Sequence, residues 1–190
     1  MFAWCSVVDG GLRVHLIPKN AHSNIALAIG DRQIGTRHDV SEESDDKRLA
    51  VIRHPLDRIV SAYEFFCHTR VELPFNDGMK VLGYKREMTF DEFLEHLLEN
   101  YEKNVHTQKQ VDFIGGQEID YLIPIEKLAE FWPTIEKEFN LPALSEKHAN
   151  RSAVEKPWAS YYTEESRAKA EHVFKEDVEL YNLALEKYNG

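Results

Sequence analysis

The sequence is short of cysteine, of long apolar runs and of positive charge, and each shortage excludes a class of protein. Cys5 and Cys67 are the only cysteines among 190 residues and form no C-x-x-C pair, which disfavours a disulfide framework and a structural zinc site. No apolar run approaches the roughly 20 residues that a membrane-spanning helix needs. The net charge of −10 disfavours non-specific nucleic-acid binding, which needs a broad basic surface.

The remaining composition is that of a globular protein. Hydrophobic residues make up 43% of the chain and aromatic residues 11%, and this length suits one domain with a real core. We find no internal repeat or low-complexity linker, so we expect a single domain over residues 1–190. Residues 1–10 contain Asp9 and no basic segment, so we see no signal peptide or membrane anchor and expect a chain that is cytoplasmic or otherwise soluble.

Apolar runs and helical periodicities alternate along the chain. Strands are predicted at residues 3–8, 12–17, 48–53 and 119–125, and amphipathic helices follow from apolar stripes at 56–66, 90–101, 128–139 and 170–188. Asp9, Gly10 and Gly11 predict a hairpin between the first two strands, and the acidic residues 41–46 predict a solvated loop. The pattern predicts an α/β fold in three layers, with a short, mostly parallel sheet flanked by helices.

The first candidate site lies where the strand at 12–17 runs into a helix predicted from Ile25. Pro18 ends the strand, since proline cannot donate into a sheet ladder, and a short polar turn follows. A helix N-terminus is an anion site, because its unpaired N–H groups and its dipole attract negative charge. Lys19 adds a positive charge to this turn and Ser23 adds a hydroxyl donor.

A second strand-to-helix junction lies at Arg53. Pro55 occupies the position of a first helical residue, and Ser61 follows on the helix. Ligands collect at such strand ends in an open α/β sheet, so two junctions with cationic and hydroxyl groups suggest a ligand with two anionic groups. The first turn is not a Walker A loop, because no glycine precedes Lys19; this disfavours ATP or GTP phosphotransfer.

Two motifs resemble those of sulfotransferases that use 3′-phosphoadenosine 5′-phosphosulfate (PAPS). Pro18-Lys19-x-x-x-Ser23-Asn24 is similar to their 5′-phosphosulfate loop. The stretch from Arg53 to Tyr63 matches their 3′-phosphate motif, R-[DH]-P-x-x-R-x-x-S-x-Y. The downstream segment from His106 to Gln110 resembles the H-x-x-x-Q element of the carbohydrate branch, and Asn150-Arg151-Ser152 resembles its C-terminal region.

The resemblance implies a P-loop-like α/β fold, a PAPS donor that leaves as 3′,5′-ADP, and a hydroxyl-bearing acceptor, for which we expect a carbohydrate. Lys19 would neutralise charge on the bridging oxygen. The residues expected to bind the nucleotide are Lys19, Asn20, Ala21, His22, Ser23, Asn24, Arg53, Ser61, Arg151 and Ser152. His106 is the first choice for the general base and His22 the second. No metal is expected, and Arg58 and Tyr63 are interpreted as structural.

Two other hypotheses stay open. One is a non-catalytic nucleotide- or glycan-binding module on the same scaffold, which would keep the phosphate contacts and lose only the base. The other is a P-loop-type nucleotide kinase, which the missing Walker glycines weaken. The sequence does not indicate the oligomeric state or the acceptor's identity.

Overall fold

The chain divides into two compact units. The structure, a computed structural model, describes residues 5–30, 33–37, 45–68, 82–145 and 157–189. The first unit comprises Met1–Arg53, Gln110–Asn150 and Glu179–Gly190, and the second comprises His54–Lys109 and Arg151–Val178. The expectation of one domain over 1–190 stays a prediction.

A five-stranded sheet forms the centre of the first unit. In chain order its strands are β1 (Cys5–Val8), β2 (Leu12–His15), β3 (Gln33–Arg37), β4 (Lys47–Ile52) and β5 (Tyr121–Pro124). The spatial order is β3-β1-β2-β4-β5. β4 lies parallel to both β2 and β5, whereas β1 pairs antiparallel with β2 and β3. The sheet is therefore mixed, with the parallel strands at the candidate site and the antiparallel strands at the other end.

The predicted α/β class is confirmed, and the four predicted strands are present. The hairpin at Asp9–Gly11 joins β1 to β2, as its glycines indicated. β3 was not predicted, because its sequence Gln-Ile-Gly-Thr-Arg contains a single large apolar residue and a glycine. Pairing with the edge of β1 supplies the hydrogen bonds that the local pattern does not indicate. The acidic segment at 41–46 lies mostly outside the described residues.

Seven α-helices lie in the part of the chain that the structure describes. They are α1 (His22–Ile29), α2 (Pro55–Tyr63), α3 (Phe90–Asn100), α4 (Gln110–Ile114), α5 (Leu128–Phe139), α6 (Glu164–Val173) and α7 (Lys175–Asn189). A π-helical segment, Glu64–His68, continues α2. None of these helices is long and apolar enough to cross a membrane.

The core of the first unit joins one face of the sheet to helices α1 and α5. Its members come from alternate strand positions and from one stripe of each helix: Val14, Leu49, Val51, Ile123, Ile25, Ile29, Leu128, Trp132 and Ile135. On the opposite face, the buried His15 ring reaches α4, with 2.9 Å between its Nδ1 and the carbonyl oxygen of Phe113. Helices thus contact both faces of the sheet, as the three-layer prediction required.

The second unit is a helical assembly with an aromatic core. Its buried members include Leu56, Val60, Phe66, Phe93, Leu97 and Phe174. Helix α3 starts with a capping box, since the Thr89 hydroxyl accepts from the Glu92 N–H and the Glu92 carboxylate accepts from the Thr89 N–H. Asp177 is completely buried in α7.

Candidate active site

The turn between β2 and α1 has an unusual backbone. Lys19 and Ala21 both adopt the left-handed conformation, with φ of 72° and 59°. For residues other than glycine this conformation costs about 1–2 kcal/mol each, and such strain concentrates at functional sites. Between them, the Asn20 N–H donates to the carbonyl oxygen of Ile17 at 3.2 Å. The turn is therefore tightly wound without containing a single glycine.

Helix α1 begins at His22, three residues before the position predicted from its apolar stripe. The polar residues His22, Ser23 and Asn24 hide the first turn from a pattern based on apolar spacing. Ala21 is the N-cap residue, and its carbonyl oxygen accepts from the Asn24 and Ile25 N–H groups at 3.0 and 3.1 Å. The predicted anion-binding residues thus form the helix start itself.

The first turn of α1 carries two half-buried polar side chains, His22 and Ser23, and one buried structural side chain, Asn24. The Ser23 hydroxyl lies 3.3 Å from Nε2 of His22, and both residues are half-buried. The Asn24 side chain is buried and pairs reciprocally with the main chain of Ser145. The N–H groups of Asn20 and Asn24 bond within the turn, to the carbonyl oxygens of Ile17 and Ala21, so these two amides are weaker candidates for binding an anion than the sequence pattern suggested.

Arg53 lies directly after β4 and contacts the same turn. Its guanidinium Nη1 donates to the carbonyl oxygen of Lys19 at 3.2 Å. Both residues are half-buried, so their charged groups stay within reach of a ligand. The two junctions that the sequence analysis singled out therefore meet at the carboxyl ends of β2 and β4, where ligands collect in α/β sheets.

Gln110, the first residue of α4, holds these two segments together. Its Oε1 accepts from the Arg53 N–H at 3.1 Å and from the Asn20 Nδ2 at 2.5 Å, and its Nε2 donates to the Arg53 carbonyl oxygen at 2.9 Å. The side chain is fully buried. In the sequence, Gln110 is recognisable only as the end of the H-x-x-x-Q element, which assigns it no role. That element was the one signal that could have found it.

Ser61 and His106 belong to the second unit. Ser61 is buried on α2. The His106 ring packs against Phe65 and Phe66, with centroid separations of 5.5 and 5.6 Å. The main-chain N–H of His106 donates to the Asn104 Oδ1 at 2.9 Å. Their assignment to the site stays a prediction. Arg151 and Ser152, the remaining predicted contacts, lie outside the described residues.

Arg58, which we interpreted as a structural ion-pair residue, contacts main-chain carbonyl oxygens. Its guanidinium donates to the carbonyl oxygens of Gln108 at 2.6 Å and Val105 at 3.4 Å. Because these residues flank His106, Arg58 anchors the segment that carries the candidate base to α2. Tyr63 is buried in the aromatic core and donates to the Met88 carbonyl oxygen, which fits its interpretation as a packing residue.

Burial determines the protonation of two histidines near the strand ends. Desolvation lowers the pKa of His15, and the positive charges of Arg48 and Arg13 lower it further, against a hydrogen bond to Phe113 that raises it. Desolvation also lowers the pKa of His54, whose ring stacks on Trp158 at 4.5 Å. Both rings are therefore neutral at pH 7, so neither adds a positive charge to the two junctions.

The described residues contain no group of three or more His, Cys, Asp or Glu side chains that could hold a metal ion. The expectation that the reaction needs no metal stays a prediction. The candidate site in the first unit is thus built from cations, hydroxyl and amide donors, which is the chemistry of an anion site.

A family model described as the sulfotransferase family matches residues 12–184, so the chain belongs to that family. The match spans both candidate motifs and confirms the resemblance seen in the sequence, and it is consistent with the carbohydrate branch. Membership supports sulfuryl transfer as the general activity. Comparisons with curated proteins and with solved structures gave no match.

Proposed function

We propose that this chain transfers the sulfuryl group of PAPS to an acceptor hydroxyl, and that the acceptor is a carbohydrate. The main support is the contact between the Arg53 guanidinium and the Lys19 carbonyl oxygen at 3.2 Å. This contact brings together the two sequence motifs, each of which would bind one anionic group of the donor. Lys19, Arg53 and the helix start suit a bisphosphorylated nucleotide, because cations and N–H groups bind phosphate oxygens strongly.

The proposed roles follow from what sulfuryl transfer demands. Like phosphoryl transfer, it needs in-line positioning and stabilisation of charge on the leaving oxygen. Lys19 balances that charge, and the amides of residues 21–23 with the Ser23 hydroxyl hold the 5′-phosphate. Arg53 binds the 3′-phosphate. Ser61 is assigned to the same phosphate from the sequence motif alone.

His106 is the proposed general base. Its ring packs against Phe65 and Phe66, and aromatic contacts of this kind fix the plane of an imidazole. His22 is the alternative, because it lies beside Ser23. His106→Ala should abolish transfer and leave nucleotide binding unchanged. Retained activity would remove His106 from the mechanism and direct the same experiment to His22→Ala.

The donor assignment is tested by calorimetric titration of 3′,5′-ADP, 5′-AMP and ATP. We expect 3′,5′-ADP to bind most tightly. One charge-assisted phosphate contact contributes about 1.5–3 kcal/mol, so its removal in Arg53→Ala should weaken 3′,5′-ADP about tenfold to a hundredfold. The affinity for 5′-AMP should change little, which makes it the internal control.

Three results would contradict the proposal. Equal affinity for 3′,5′-ADP and 5′-AMP would remove the 3′-phosphate site. A preference for ATP would favour the kinase hypothesis. Selective 3′,5′-ADP binding without transfer of a labelled sulfuryl group to any hydroxyl acceptor would favour the non-catalytic module.

A further inference from the structure

We propose that Gln110 is a positioning residue that sets the spacing between the Lys19 turn and the end of β4 at Arg53. The proposal rests on the proposed function, since it assigns that spacing to the two phosphates of one nucleotide. Gln110 itself contacts main chain and Asn20, and it acts through the residues it holds.

Gln110 pairs with Arg53 as a neighbouring strand would. Its side-chain amide accepts from the Arg53 N–H at 3.1 Å and donates to the Arg53 carbonyl oxygen at 2.9 Å. β4 ends at Ile52, and the pair of Ile52 with Pro124 is the last one between β4 and β5. The glutamine thus continues the sheet pairing by one residue, and it fixes the main chain from which the Arg53 guanidinium extends.

The same amide oxygen reaches the turn of Lys19. Asn20 is almost completely buried, and its Nδ2 donates both to the Gln110 Oε1 at 2.5 Å and to the Val51 carbonyl oxygen at 2.8 Å. Both hydrogens of that group are therefore used. The turn is attached to β4 directly at Val51 and indirectly, through Gln110, at Arg53.

This network joins residues far apart in sequence. Gln110 is separated from Asn20 by 90 positions and from Arg53 by 57. Only an amide at position 110 can make all three bonds, because a carboxylate cannot donate to the Arg53 carbonyl oxygen and an apolar side chain makes none of them. The glutamine side chain is therefore required for these hydrogen bonds and does not merely fill the core.

A ligand with two phosphates benefits from both binding groups only if the protein holds them at the ligand's own spacing. Without Gln110, each phosphate can still be bound, but binding the second costs a rearrangement. The quantity that measures this is the ratio of the dissociation constant of 5′-AMP to that of 3′,5′-ADP. A variant that merely folds less well weakens both ligands equally and leaves the ratio unchanged.

The experiment measures this ratio in the whole chain for the wild type, Gln110→Met and Gln110→Glu. Gln117→Met and Gln117→Glu are the matched controls, since Gln117 lies in the same unit, is half-buried and bonds to the Ile114 carbonyl oxygen through its own N–H. We expect the ratio to fall about tenfold in Gln110→Met, which corresponds to a rearrangement cost of about 1.4 kcal/mol for binding the second phosphate. The ratio should fall at least as far in Gln110→Glu, because its carboxylate has no donor for the Arg53 carbonyl oxygen, and both controls should match the wild type.

The possible failures are distinguishable. A wild-type ratio near one overturns the proposed function. A high wild-type ratio that both Gln110 variants retain overturns the positioning role alone, and so does an equal fall in the Gln117 controls. If Gln110→Met fails to fold, Gln110→Glu decides, because it keeps the length of the side chain and replaces the donor to the Arg53 carbonyl oxygen by a carboxylate oxygen.

Discussion

Replacing Ala21 with glycine should stabilise the protein and weaken nucleotide binding. Ala21 has a φ of 59° and caps α1 without a side-chain hydrogen bond. Relief of the left-handed strain is worth about 1–2 kcal/mol, and glycine loses about 0.4–1 kcal/mol through the greater freedom of the unfolded chain. We therefore expect a net gain in the free energy of unfolding of about 0.5–1 kcal/mol.

The effect on binding has the opposite sign. A glycine at position 21 leaves the amides of residues 21–23 more conformational freedom, and binding must then order them. An ordering cost of about 0.5–1 kcal/mol weakens 5′-AMP and 3′,5′-ADP by roughly two- to fivefold alike. A single substitution would thus raise the free energy of unfolding and lower the affinity for the nucleotide.

Urea unfolding followed by circular dichroism measures the stability, and calorimetry measures the affinity. Ala26→Gly is the matched control, because Ala26 lies inside α1, where glycine costs about 1 kcal/mol. If Ala21→Gly loses as much stability as Ala26→Gly, the left-handed backbone at position 21 carries no strain, and the reasoning is wrong.

Two further predictions concern burial and close packing. Burial lowers the pKa of His15, so the unfolded chain takes up a proton at higher pH than the native protein does. The free energy of unfolding should therefore fall as the pH drops through about 6.5. Urea titrations of His15→Leu should show a weaker pH dependence of this free energy than those of the wild type. Gly83→Ala should cost more stability than Gly10→Ala, by about 1 kcal/mol or more. Both glycines have a positive φ, so the backbone strain is similar in the two variants. An added Cβ at Gly83 would lie 2.7 Å from the His96 ring, whereas one at Gly10 would meet nothing within 4 Å.

Each of these has a clear contrary result. An unchanged pH dependence in His15→Leu would mean that His15 does not contribute to acid sensitivity. Equal losses in the two glycine variants would mean that the His96 ring moves aside at no cost, even though its Nε2 contacts the Leu82 carbonyl oxygen.

The fold was predictable where apolar residues dominate and was not where pairing is set by distant partners. β2, β4 and β5 are apolar runs, and their burial drives both the pattern and the structure. β3 has no such run and depends on the edge of β1. The beginning of α1 was misplaced because its first turn is polar.

The candidate site was predictable in its cations but not in its scaffold. Lys19 and Arg53 follow buried strands that run parallel on neighbouring positions, so their meeting follows from topology. The role of Gln110 does not, because three hydrogen bonds to residues far away in sequence leave no local periodicity. A glutamine that begins a helix looks the same in a sequence whether it is solvated or buried.

The most direct test of the sulfotransferase account compares Lys19→Ala with Arg53→Ala in two measurements on the same protein: transfer of the sulfuryl group from labelled PAPS, and the dissociation constant of 3′,5′-ADP. The account predicts that Lys19→Ala reduces turnover far more than it weakens 3′,5′-ADP binding, since Lys19 acts on charge that develops during transfer. Arg53→Ala should do the reverse, since the 3′-phosphate takes no part in the chemistry. Equal effects of both substitutions on both quantities would contradict the assigned roles.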